Sequence, residues 1–193
     1  YAYMKHFALN DQEGNRNCMA ATWSNEQAIR EIYLKPFEMS VKDADCHAVM
    51  SSFNYIGNRW AGGCSELLQN VLRGEWGFLG FVETDYFGVY GYMTADQAVR
   101  NGGDLMLCTT GNDYNKVTVL TNSSKQAMRT SAKNILYTVV NSRAYEAENL
   151  NPGMAKWKVI MIGADVVVAL LIVGLEYTAI KNYKKRKEEE EEV

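Results

Sequence analysis

The chain has 193 residues, of which 47% are hydrophobic and 22% are charged, with fifteen glycines and only two prolines. This composition is typical of a globular protein and excludes the disordered, collagen-like and disulfide-dense classes. The formal net charge of −3 lacks the basic excess with which nucleic-acid-binding proteins attract phosphate. Nucleic acid is therefore not an expected partner.

Four cysteines, Cys18, Cys46, Cys64 and Cys108, lie too far apart for the short paired spacings of a zinc site. We expect four separate thiols and no metal site, with one or two disulfides as the alternative in an oxidising compartment. The chain begins at Tyr1 without an initiator methionine or a signal peptide, so we expect it to be the C-terminal piece of a longer protein.

The first predicted elements are a helix and a strand. Ser24 and Gln27 have the spacing of a capping box, and apolar residues then recur at helical intervals, with Pro36 expected to kink or end the helix. The apolar residues 48–50 precede two serines, which is typical of a buried strand with a polar end. A loop is predicted over 54–63.

A second helix and strand follow in the same order. Residues 65–73 carry four leucines and valines on one helical face, and Gly74 is placed to cap this helix in a left-handed conformation. A strand predicted over 78–82 then leads into Asp85.

The third helix is predicted over 95–100, because Thr94 and Gln97 have capping-box spacing and two glycines follow. A short strand over 104–107 and an amphipathic helix over 124–140 complete the series. The residues expected to face inward on this last helix are Ala127, Met128, Ala132, Ile135, Leu136 and Val139.

Alternating strands and helices with polar residues at the strand ends predict an α/β fold with parallel strands. About four βα units fit into residues 1–148, whereas a complete (β/α)8 TIM-like barrel needs roughly 250 residues. We therefore expect the C-terminal half of such a barrel. Its missing half would lie upstream or on another chain, because an open half sheet leaves unpaired edges.

After a turn-forming linker at 149–156 the sequence becomes strongly apolar. Residues 159–175 carry one charge, Asp165. A helix of these seventeen residues is about 26 Å long, and a longer helix over 157–180 would cross a bilayer core of about 30 Å. The alternative is a buried helix in a globular core. The tail 181–193 contains five cations soon after the span, which by the positive-inside rule places the C-terminus in the cytoplasm and the preceding residues outside.

Five blocks of residues, in order, resemble glycoside hydrolase family 3, which includes bacterial β-glucosidases and β-xylosidases. The resemblance covers residues 1–140. The blocks are KHFALNDQE at 5–13 followed by Arg16, REIYLKPFE at 30–38, VMSSFN at 49–54, LRGEWGF at 72–78 and FVETDY at 81–86.

A retaining glycosidase needs one carboxylate that attacks the anomeric carbon and a second carboxyl group that protonates the leaving oxygen. Asp85 follows a predicted parallel strand, where barrel enzymes hold catalytic side chains, although an Asp in this place can also simply cap the next segment. The resemblance implies that Asp85 is the nucleophile. It also implies that Lys5, His6 and Arg16 bind the sugar beside it.

Two positions depart from the family pattern. Phe53 stands where members usually carry a tyrosine whose hydroxyl bonds the nucleophile, so the pKa of that carboxylate would rise unless a neighbour such as Tyr55 substitutes. Tyr86 replaces a tryptophan and still offers an aromatic face to the sugar. Asp104 begins a predicted strand and would lie at the wrong face of a barrel. Glu83 could share the face of Asp85 but is better explained as a polar residue at the strand end, so we expect the general acid outside this chain.

The resemblance implies a retaining β-glycosidase, similar to β-glucosidases, which removes terminal neutral sugars through a glycosyl-aspartate and needs no cofactor. Ala8 to Asp11 differ from the Pro-Gly-His-Gly of the branch that cleaves N-acetylhexosamines. We expect a bacterial, single-pass cell-membrane protein whose partners are a carbohydrate substrate, the missing barrel half and the lipid bilayer. The alternative is a membrane-anchored, non-catalytic sugar-binding or structural remnant.

Overall fold

The computed structural model describes residues 1–86, 90–109, 114–146, 150 and 153–191. Two compact units are present, Tyr1–Tyr145 and Glu146–Val193. Asn149, at the start of the predicted linker, and Val193, at the end of the predicted tail, lie outside the described residues.

The first unit alternates strands and helices along the chain. Its strands are β1 (Met4–Phe7), β2 (Ala21–Thr22), β3 (Ala48–Ser51), β4 (Tyr55–Ile56), β5 (Arg59–Trp60) and β6 (Phe81–Thr84). Its α-helices are α1 (Glu26–Ala28), α2 (Lys35–Lys42), α3 (Ala95–Arg100) and α4 (Asn122–Val140). Two π-helical segments, Ile29–Tyr33 and Glu66–Glu75, and two 3-10 turns, Ala61–Gly63 and Arg143–Tyr145, complete it.

Three strands form the central parallel sheet in the order β1-β3-β6. Ala48 pairs with Phe81 and Ser51 with Thr84, so β3 and β6 end at the same edge. Leu105 extends the sheet by one parallel bridge to Glu83, which is all that forms of the strand predicted over 104–107. The prediction of an α/β unit with parallel strands is confirmed.

The core lies between this sheet and the helical segment Glu66–Glu75. Leu68 and Leu72 of that segment are fully buried with Phe7, Val49 and Val82 of the three strands. Burying one such side chain stabilises the fold by about 1.5–3 kcal/mol. The apolar face predicted for residues 65–73 therefore contributes to the core.

Several predicted helix and strand ends are wrong. Asn25, not Ser24, caps the first helix by accepting a hydrogen bond from the Ala28 N–H. The expected break near Pro36 is present, since the first helical stretch ends at Tyr33 and Pro36 lies in the first turn of α2, where its missing N–H breaks no helical bond. Gly74 lies inside its helical segment, and the positive φ of 73° belongs to Gly77.

The strand that was predicted to begin at residue 78 begins three residues later, since β6 starts at Phe81. The predicted loop over 54–63 contains the antiparallel pair β4-β5, and β4 also pairs with β2 in a second small sheet. All four cysteines are free thiols.

The inward face of α4 also differs from the prediction. Its buried residues are Ser124, Ser131 and Thr138, whereas Leu136 is 61% exposed. Hydrogen bonds to neighbouring segments accompany this orientation, because Ser131 donates to the Gly103 carbonyl at 3.1 Å and the Thr138 hydroxyl reaches the His47 carbonyl at 3.4 Å. Of the residues predicted to face inward, Ala132 and Val139 are likewise exposed and Ala127, Met128 and Ile135 are half-buried.

The second unit is dominated by one helix, α5 (Lys156–Glu191). Its most apolar window of 18 residues has a mean hydropathy of 2.4, and none of that window is buried among the described residues. By length and composition this helix is able to cross a membrane.

Candidate active site

The carboxyl ends of β1, β3 and β6 meet at one edge of the sheet and carry the predicted site residues. His6 lies near the end of β1, Phe53 follows β3, and Asp85 follows β6 directly. In parallel α/β folds this edge is where ligands bind and catalytic side chains lie. The structure therefore brings together residues that are up to 79 positions apart, since His6 and Asp85 are neighbours.

Asp85 is held by the backbone and faces His6. Its Oδ1 accepts a hydrogen bond from the Tyr86 N–H at 2.7 Å, and its own N–H donates to the Ser51 carbonyl at 3.2 Å. Its Oδ2 lies 3.3 Å from His6 Nε2, with both side chains largely buried. The carboxylate is thus oriented at the sheet edge with one oxygen directed to the imidazole.

Burial lowers the pKa of His6 below 6.5, and the positive charges of Lys5 and Arg16 lower it further, while Asp85 opposes them. The imidazole is therefore neutral at neutral pH and bonds through an N–H without adding a positive charge. Lys5 itself is exposed.

Arg16 lies between a carboxylate and an aromatic ring. Its Nη2 is 2.8 Å from Glu13 Oε2, and its Cζ lies 4.8 Å from the centre of the Phe53 ring. Its Nη1 is buried without a hydrogen-bond partner in the described part of the chain. This nitrogen thus lacks the hydrogen bond that buried polar groups normally make.

Phe53 is buried and packs edge-on against Tyr90, with ring centres 5.3 Å apart. Tyr55, the possible substitute for a hydroxyl at position 53, instead packs against Tyr92 at 5.2 Å. Tyr86 is 39% exposed, and its hydroxyl bonds that of Thr109 at 2.9 Å. The structure thus places Tyr55 in an aromatic cluster and leaves the Tyr86 ring at the surface.

The two other carboxylates weighed from the sequence are held elsewhere. Asp104 is buried and pairs with Arg73 at 2.7 Å. Glu83 is hydrogen-bonded to the Tyr3 hydroxyl, and burial raises its pKa. Neither fits the role of a second carboxyl group beside Asp85.

Sequence reasoning missed a cavity of about 320 Å³ next to Arg16, which is also lined by Trp23 and Asn54. The one available signal was a tryptophan within the polar stretch before α1. Among the described residues, no group of three or more His, Cys, Asp or Glu side chains is placed to hold a metal ion.

Comparison with known proteins gives consistent matches. The model of the glycosyl hydrolase family 3 N terminal domain matches residues 1–136. A beta-glucosidase of Rhizobium radiobacter is 37% identical over 149 residues, which are 75% of this chain and 18% of that protein. Probable beta-glucosidase K of Emericella nidulans is 40% identical over 102 residues, 53% of this chain and 12% of that protein.

Among solved structures, beta-glucosidase 3B from Thermotoga neapolitana in complex with glucose is similar with a TM-score of 0.62 and 30% sequence identity. The match covers 76% of this chain and 22% of that one. The chain therefore spans between 12% and 22% of the length of these three relatives.

Proposed function

This chain belongs to glycosyl hydrolase family 3, and from that premise we propose that it is the C-terminal half of the catalytic barrel of a retaining β-glycosidase of β-glucosidase type. The observation that carries the proposal is the Asp85 carboxylate at the carboxyl edge of a parallel sheet, fixed by the Tyr86 N–H and 3.3 Å from His6. The relatives described above are β-glucosidases or probable β-glucosidases.

In the proposed reaction, Asp85 attacks the anomeric carbon as the leaving oxygen departs, which forms a glycosyl-aspartate. A second carboxyl group about 5–5.5 Å away protonates that oxygen and then activates the water that releases the sugar. His6, Lys5 and Arg16 bind the hydroxyl groups of the sugar, and Tyr86 offers it an aromatic face. No metal or redox cofactor is required by this chemistry.

The second carboxyl group and the missing barrel half come from upstream sequence or from another chain. Two features support this proposal. β1 is at an edge of its sheet, and α4 exposes apolar residues such as Leu136 and Val140. Sheets and helices of a complete barrel cover such edges and faces. We expect the isolated 193-residue chain to be inactive, and Asp85-dependent release of an aryl β-glucoside's chromophore would refute this.

We further propose that α5 anchors the protein in the cell membrane of a bacterium, with the barrel outside. Protease added to intact cells should then remove the barrel and leave the tail 181–193 protected. Cleavage of the tail in intact cells, with protection of the barrel, would reverse the orientation. Release of the protein by alkaline carbonate would show that α5 does not span the membrane.

The function is tested by trapping the covalent intermediate. Membranes of the source cells are treated with an activated 2-fluoro-glucoside, and the labelled residue is identified by mass spectrometry. We expect the label on Asp85, and only in protein larger than this chain. The matched control is Asp43→Asn, an exposed carboxylate of the same unit, which should still be labelled at Asp85, whereas Asp85→Asn should not.

The second candidate function is a non-catalytic, membrane-anchored sugar-binding or structural protein. Phe53 favours this alternative, because a phenylalanine cannot donate a hydrogen bond to the nucleophile. The partners of Glu83 and Asp104 favour it too, because Tyr3 and Arg73 bind these two carboxylates. Failure of both a 2-fluoro-glucoside and a 2-fluoro-xyloside to label Asp85 would support this alternative.

A further inference from the structure

The helix α5 carries one acidic residue, Asp165, inside its most apolar stretch. Residues 159–175 contain no other charged side chain, and the most apolar window of the helix has a mean hydropathy of 2.4. An ionisable side chain in the hydrocarbon core of a membrane is costly, so such residues almost always face a protein partner or a polar cavity. Asp165 has no part in the proposed glycosidase chemistry, so its presence needs a separate explanation.

Asp165 lies within the hydrocarbon core if α5 crosses a membrane. Fifteen residues, 166–180, separate it from Lys181, the first cation after the span. As a helix they are about 22 Å long, which is less than the bilayer core of about 30 Å. The helix therefore crosses only if Asp165 and the turn before it are also in the core. An aspartate side chain is too short to reach the interface in the way that lysine and arginine do.

The helix itself does not provide a cation for Asp165. The four residues one turn away on either side are apolar, namely Met161, Ile162, Val168 and Ala169. The nearest lysine on this face of the helix is Lys158, two turns earlier. Its Nζ lies 5.6 Å from the centre of the Trp157 ring, and helical side chains lean toward the N-terminus, so Lys158 is directed away from Asp165. The carboxylate itself is exposed.

A second copy of the chain does not supply the missing cation either. Two copies in the same orientation bring Asp165 of one helix to the depth of Asp165 of the other, so that two acids meet. The cations after the span begin at Lys181, about 24 Å further along the helix axis. Charge complementarity therefore points to a different membrane protein, one that has a basic residue inside its own transmembrane helix.

We propose that Asp165 docks a transmembrane helix of another membrane protein, which carries a lysine or arginine at the same depth. Opposite charges attract strongly there, because the hydrocarbon core contains no water or salt to screen them. Ala169 follows one turn later on the same face and is small, so a partner helix is able to approach closely. The inference rests on the part of the proposed function that places α5 across the membrane, and it adds a partner to that anchor.

The test uses the full 193-residue chain reconstituted in vesicles of phosphatidylcholine, a lipid without net charge. The probes are two synthetic leucine-rich transmembrane peptides, one with a lysine at the depth of Asp165 and one with a leucine there. Energy transfer between dyes on the chain and on the peptide measures their association. We expect the lysine peptide to associate about tenfold more tightly than the leucine peptide. Asp165→Leu should remove this difference, and Asp165→Lys should transfer the preference to a peptide with an aspartate at that depth.

Glu176→Gln is the matched control, because Glu176 is the other acid of the predicted span and lies near its C-terminal end, about three turns from Asp165. It should leave the tenfold preference unchanged. Equal association of the two peptides with the wild-type chain, or a preference that survives in Asp165→Leu, would overturn the inference. Self-association of the wild-type chain that Asp165→Leu abolishes would also overturn it, because a second copy would then occupy this face.

Two further measurements distinguish failure of this inference from failure of the proposals before it. Release of the wild-type protein from source membranes by alkaline carbonate would refute the membrane span and this inference together. Retention in carbonate, with equal association of the two peptides, would refute the partner helix alone. Asp165→Leu in the source enzyme should leave 2-fluoro-glucoside labelling of Asp85 unchanged, so the glycosidase proposal is tested independently.

Discussion

Replacement of Asp104 by asparagine should destabilise the first unit strongly, because Asp104 joins three elements in the interior. Its Oδ2 is 2.7 Å from Arg73 Nη2 and accepts the Val82 N–H at 2.8 Å, while its Oδ1 accepts from Asn134 at 2.9 Å. The side chains of Asp104 and Arg73 are 1% and 18% exposed. Val82 belongs to β6, which ends at Asp85, so this ion pair also supports the strand that carries the proposed nucleophile.

Removing one partner of a buried ion pair costs about 3–5 kcal/mol, since the other charge stays buried. Asparagine still accepts from the Val82 N–H and Arg73 reaches some solvent, so we expect about 3 kcal/mol for Asp104→Asn. With a urea m-value of about 2 kcal/mol/M, the midpoint of unfolding should fall by about 1.5 M.

The assay is urea unfolding followed by tryptophan fluorescence. Asp43→Asn, the same chemical change at an exposed position, should change the free energy of unfolding by less than about 0.5 kcal/mol. The double variant Arg73→Met/Asp104→Asn should recover part of the loss, because no unpaired charge remains and the asparagine oxygen still accepts from the Val82 N–H. A loss below about 1 kcal/mol for Asp104→Asn would refute the reasoning.

Three further predictions follow from local geometry. The pKa of His6, measured by NMR, should lie below 6.5 and fall further in Asp85→Asn, and a rise in the variant would contradict this. Because the unfolded chain then binds the proton more tightly than the folded protein, the stability linked to His6 is complete above pH 6.5 and is lost as the pH falls toward the folded-state pKa. Thr121→Ala should cost about 1 kcal/mol in urea unfolding, because Thr121 and Ser124 form a capping box, whereas Thr130→Ala in the same helix should be neutral or slightly stabilising. Gly80→Ala should lower the free energy of unfolding by more than about 2 kcal/mol, since a Cβ there would clash with the His47 carbonyl oxygen. Gly14→Ala is the control, because a Cβ at Gly14 would meet open space. Equal losses of stability at both positions would show that the clash is not the cause.

Much of the fold was predictable because hydrophobic periodicity reports burial directly. The strand at 48–51, the helix at 95–100 and its cap Thr94 follow from local signals that tertiary contacts do not override. The inward face of α4 was not predictable in this way. There, the buried Ser131 donates to the Gly103 carbonyl and the Thr138 hydroxyl also reaches the His47 carbonyl at 3.4 Å, and these acceptors are distant in sequence. Leu136 stays exposed although its apolarity suggested burial.

The candidate site was predictable to the extent that it follows strand ends. Asp85 was expected at the carboxyl end of a strand and His6 beside it, and parallel pairing through β3 brings the two side chains to 3.3 Å. Trp23 and Asn54 were not found, because neither follows a periodic pattern and their shared cavity depends on how the loop after β1 folds over β4. The partners of a loop residue are set by the whole fold, which a single sequence does not display.

The structure also gives Phe53 a role that its departure from the family pattern concealed. Its ring lies 4.8 Å from the guanidinium carbon of Arg16, a cation–π distance, and also forms a T-shaped pair with Tyr90. A phenylalanine makes this contact as well as a tyrosine does, so the substitution preserves the position of Arg16 and removes only the hydroxyl. The consequence for function would then fall on the hydrogen bonding of Asp85 and not on the position of Arg16, which Phe53 and Glu13 hold together.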